Sequence, residues 1–61
     1  MKASRVTVVA EMWIDNGETR GWSVIGTFRC GRNPSANHID AALRLIGSRF
    51  PHAERVRPVS L

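Results

Sequence analysis

The two runs that flank Asp15-Asn16-Gly17 constrain this chain more than any other feature. In the first, Val6, Val8, Ala10, Met12 and Ile14 are apolar at every second position, the spacing that lines one face of a pleated strand. The second repeats it with Trp22, Val24, Phe28 and Cys30, and Gly26 falls on the same side. If both apolar sets share a face, even-numbered residues must pair with even-numbered ones. A two-residue Asn16-Gly17 turn breaks that parity. A three-residue loop Asp15-Asn16-Gly17, with Gly17 left-handed and a bulge beside it, keeps it. The spacing predicts a long hairpin with strands over about 5–14 and 20–30 and Trp22 and Val24 on its core face.

The opposite face carries Arg5, Thr7, Val9, Glu11 and Trp13 from the first run and Ser23, Ile25, Thr27 and Arg29 from the second. Its polar residues mark it as the side away from the core, yet Val9, Trp13 and Ile25 interrupt it. Glu11, Asp15 and Glu18 make the hairpin end mildly acidic, with Arg20 in local opposition.

After the second strand, Gly31-Arg32-Asn33-Pro34 breaks the pattern. Asn33 suits a helix N-cap and Pro34 a first helical turn, with Ser35 as the alternative cap. Ile39, Leu43, Ile46 and Phe50 then recur at four, three and four residues, which predicts an amphipathic helix over about 34–50. Asp40 and Arg44 form an i,i+4 pair on its far side. Pro51 ends the helix. Residues 55–60 read as a short third strand, which Pro58 confines to an edge, and a right-handed crossover places it beside the first strand. The expected fold is a single small α+β domain of ββαβ order, one helix on one face of a mostly antiparallel sheet, with residues 1–4 as a short lead.

A chain of 61 residues buries only about 60% of the surface its unfolded form exposes, so it needs a staple. Cys30 is the sole cysteine, which rules out an internal disulfide, and no Cys/His cluster has zinc spacing. The remaining staple is another copy or another protein. The start lacks an uninterrupted apolar stretch after its basic residues and nothing reaches the length of a membrane span, so the expected location is cytoplasmic and the expected partners include no membrane.

No motif carries catalysis. His38 and His52 would lie about 20 Å apart along a helix axis, and the expectation is a non-enzyme with no cofactor and no metal. Two binding classes remain. In the first, the helix-free face contacts a protein or a nucleoprotein assembly, with Trp13 as anchor, Ile25 and Val9 beside it, and Arg5 and Arg29 as a charged rim. Trp and Arg are the types most enriched among interface hot spots. A second copy of the chain is the competing occupant. Small size and the lack of catalytic groups suit an adaptor or inhibitor of the sort phages and mobile elements carry. In the second class, the formal charge of +4, with eight of nine basic residues arginine, serves nucleic acid. Arg29, Arg32, Arg55 and Arg57 then contact phosphates and Trp13 stacks on a base. The two classes part on whether those four arginines form one patch that contains Trp13.

Overall fold

The computed structural model describes residues 4–60; the lead residues 1–3, with Lys2, and Leu61 lie outside it. Strand β1 (Arg5–Asp15) and strand β2 (Arg20–Arg32) form the hairpin, helix α1 (Ala36–Arg49) follows, and strand β3 (Arg55–Ser60) closes the chain. The sheet order is β2-β1-β3 and both pairings are antiparallel. This is the expected ββαβ domain, with Pro58 on the edge strand opposite Val8 of the central one.

The core lies between the sheet and α1. Val6, Val8 and Ala10 of β1 meet Ala42 and Ile46 of the helix, with Cys30 at the border and Phe28, Leu43 and Phe50 packed around them. Val8 is the largest side chain that is fully buried. The Phe50 ring at the helix C-cap covers Gly26 so closely that a Cβ at that position would overlap it. Glycine is therefore required there for contact between layers, not for a turn.

The helix begins later than expected. Its N-cap is Ser35, whose hydroxyl accepts the His38 N–H at 3.1 Å, and not Asn33. Asn33 is left-handed, with φ 44°, a conformation this residue type tolerates. It ties the β2–α1 turn to the start of β1: its N–H donates to the Ser4 carbonyl at 2.7 Å and its Oδ1 accepts the Ser4 N–H at 3.0 Å. On the solvent side of the helix, Arg44 and Asp40 pair at 3.0 Å as expected.

The hairpin register differs from the expected one. Even pairs with even only in the middle, from Val8↔Phe28 to Ala10↔Gly26. One extra β2 residue, Ile25, intervenes before Glu11↔Val24, and beyond it odd β1 positions face even β2 positions, as in Trp13↔Trp22. The connection is the four residues 16–19 between the paired Asp15 and Arg20. Asn16 Oδ1 accepts the Glu18 and Thr19 amides, and Gly17 is left-handed as expected. The bulge that corrects parity thus sits at Ile25, eight residues from Gly17, beside which it was expected. A second extra residue, Cys30, precedes Gly31↔Val6. Trp22 and Val24, expected in the core, are consequently turned to the helix-free side, where they are 40% and 52% exposed.

β3 pairs only with residues Val6 to Glu11 of β1. Beyond Glu11 the hairpin continues as a two-stranded ribbon, which gives the domain a 42 Å long axis and a radius of gyration of 12.9 Å, against about 10.5 Å for a compact chain of this length.

Candidate functional site: the helix-free sheet face

The helix-free face is built from odd positions of β1, from Arg55, Arg57 and Val59 of β3, and from Arg29, Thr27, Val24 and Trp22 of β2. At its centre lies Glu11, only 4% exposed. Its carboxylate accepts Arg55 Nε at 2.8 Å and Arg57 Nε at 2.7 Å, and a second Arg55 nitrogen reaches the other oxygen at 3.3 Å. Glu11 was expected among the acidic residues of the hairpin end. It is instead the anchor of β3, because the antiparallel register sets Arg55 directly opposite it.

The Arg55 hydrogen bond, and then that of Arg57, holds the Glu11 carboxyl below its ordinary range, against the burial that pushes it up. A carboxylate whose pKa is depressed by folding stabilises the folded state above its unfolded pKa, and this contribution is lost as pH falls through the folded value. Thermal unfolding followed by circular dichroism will therefore show a midpoint that drops as pH is lowered from the ordinary glutamate range downward. Glu11→Gln will lower the midpoint at pH 7 and shrink its acid dependence; an unchanged dependence would mean that other carboxylates carry it.

Arg55 has a second role. Its guanidinium lies 3.8 Å from the Trp22 ring centroid, and Trp22 meets Trp13 edge-to-face at 5.6 Å. Glu11, Arg55, Trp22 and Trp13 thus form a chain of contacts that leads from the buried centre out onto the ribbon. The Trp13 N–H, which β3 is too short to pair, donates to Glu54 Oε1 at 3.0 Å, and the Glu54 N–H donates to the Glu11 carbonyl at 2.9 Å. The two indoles pack on each other although Trp13 is 46% and Trp22 40% exposed. Ile25 at the bulge and Ile14 on the ribbon's other side add exposed apolar surface.

The opposite end of the face is cationic. Arg5 stands across from Arg32 and Arg29 across from Thr7, and among the described residues none of these three arginines has an ion-pair partner. Like charges directly opposite each other on a ladder are unfavourable. A shallow depression of about 260 Å³ lies here, lined by Arg5, Val6, Thr7, Arg29 and Gly31.

Of the residues assigned to protein contact, Trp13, Ile25, Arg5 and Arg29 are exposed, whereas Val9 is 8% exposed and forms part of the floor. Val9 is covered because it is central, flanked by Thr27 on one side and Arg57 on the other. The four arginines of the nucleic-acid reading are divided. Arg29 and Arg32 lie on β2, Arg55 and Arg57 lie across β1 on β3 with Glu11 between their guanidiniums, and Trp13 sits on the ribbon at the far end from Arg5. Sequence reasoning missed Trp22 and Val24 as surface residues and Glu11 as a buried ion-pair partner. The glycines within β2, Gly21 and Gly26, were the available sign that its alternation is interrupted.

Among the described residues, no three His, Cys, Asp or Glu side chains converge as metal ligands, and no helix is long and apolar enough to cross a membrane. Comparison with protein-family models, curated proteins and solved structures finds no match to this chain.

Proposed function

We propose that this chain is a non-enzymatic binding protein, an adaptor or inhibitor that occupies a surface of a larger protein or nucleoprotein assembly through its helix-free sheet face. The observation that carries the reading is the packed indole pair, Trp13 against Trp22 at 5.6 Å with Arg55 stacked on Trp22, on a ribbon that projects beyond the third strand. Aromatic residues held in one arrangement before contact lose little conformational entropy on binding, and Trp and Arg dominate interface hot spots. Trp13 is the anchor, Trp22, Val24 and Ile25 extend the apolar contact, and Arg5 and Arg29 form a distant charged rim. The engagement of both Arg55 and Arg57 by the Glu11 carboxylate, which splits the arginines of the face into two groups, favours this reading over a phosphate track. A free, buried Cys30 suits the reducing cytoplasm, and the economy of one small surface suits a phage or mobile-element product.

The test is Trp13→Ala, which removes the anchor without touching the Glu11 ion pairs. The expected cost is about 1 kcal/mol of stability, the worth of one aromatic pair, against about 2 kcal/mol of partner affinity, roughly 30-fold. Chemical denaturation and affinity capture on the same preparations check both. A chain that unfolds on losing Trp13 would assign the indole to the core and remove the proposed anchor.

A further inference from the structure

We infer that the helix-free face is self-complementary and that two copies of the chain pair through it head to tail, so that a foreign partner must displace the second copy; the inference rests on that face being the binding surface. The need for a constant staple comes from the core, whose buried side chains among the described residues are Val6, Val8, Ala10, Cys30, Ala42 and Ile46, none of them aromatic. A domain this small gains stability from association, and a second copy is always present.

The arrangement follows from where the patches lie. A two-fold axis in the plane of the face, perpendicular to the strands near Val9, reverses strand direction and leaves each strand at its own lateral position. Trp13 of one copy then lies over Arg5 of the other, both on β1, and Trp22, opposite Trp13, lies over Arg32, opposite Arg5, both on β2. Indole is the best aromatic acceptor for a guanidinium, and the depression between Arg5 and Arg29 offers about 260 Å³ for the ring. The turn residues Asp15 and Glu18 reach the end that carries Arg5 and Arg32, where the cross-strand arginines make no ion pair among the described residues. Arg57 comes near its own counterpart at the axis, its charge partly offset by the Glu11 carboxylate that it shares with Arg55. The contact is isologous, so each aromatic-to-cation match is made twice.

Light scattering on the full chain over a concentration series at low salt tests this. The measured mass should rise from the 6.8 kDa of one chain toward twice that value. Arg5→Glu with Arg32→Glu should weaken self-association by more than about tenfold, as should Asp15→Asn with Glu18→Arg, the asparagine keeping an acceptor for the Gly17 N–H. Mixed together, the two variants should form a heterodimer, because each reversed patch then meets its complement. Circular dichroism confirms that both variants are folded. A monomer at every concentration, or a dimer indifferent to both reversals, overturns the inference. A monomer would leave the binding of a foreign partner intact, since that is read separately by capture.

Discussion

Phe28→Ala will remove a third or more of the protein's stability. Phe28 pairs with Val8, the fully buried centre of β1, and packs on the cluster that includes Ala42 and Ile46. Deleting a core phenylalanine ring costs about 3 to 5 kcal/mol, and partial burial places this one near 3. A domain of 61 residues has only about 3 to 9 kcal/mol of total stability, so the loss is a third of it or more. Urea titration followed by circular dichroism should show the midpoint shifted far down or lost. A wild-type midpoint would mean that Phe28 does not face the helix and that the two sheet faces have been exchanged.

Gly26→Ala will be nearly as damaging, for the opposite reason. Alanine is ordinarily better than glycine in a strand interior, but here the added methyl meets the Phe50 ring. Phe50 caps the helix, with its N–H bonded to the Ile46 carbonyl at 2.9 Å, and its ring is packed against the core, so relief of the overlap requires repacking there. Overpacking of this kind costs about 1 to 3 kcal/mol. The double variant Gly26→Ala, Phe50→Leu should be less destabilised than the sum of the single ones, because the two changes share one contact. Strict additivity would show that the ring does not rest on Gly26.

The elements and their order were legible because they depend on local periodicity: period two in β1 and β2, the four-three-four spacing of Ile39, Leu43, Ile46 and Phe50, and Pro58 on an edge. The faces of β2 were not legible throughout. Alternation through Trp22, Val24, Gly26 and Phe28 looks continuous in the sequence, yet Ile25 adds a residue that no partner on β1 opposes. A one-residue slip sends every side chain beyond it to the other face. Strand β2 resolves the conflict by keeping Phe28 and Gly26 under the helix and releasing Trp22 and Val24 to the opposite face. For Glu11, the missing information was long-range: its partners are 44 and 46 residues away, and nothing local distinguishes it from Glu18. Trp13 was legible as a surface residue because its place in the β1 alternation is undisturbed.

The most direct test of the central claim, that the ordered indole pair is a contact surface and not part of the core, measures two properties of Trp13→Ala beside the wild type: the urea midpoint and the proteins each retains from an extract of the source cells. The expected result is a folded variant, about 1 kcal/mol less stable, that has lost a protein the wild type retains. A folded variant that retains the same proteins as the wild type, or a variant that does not fold, would contradict it.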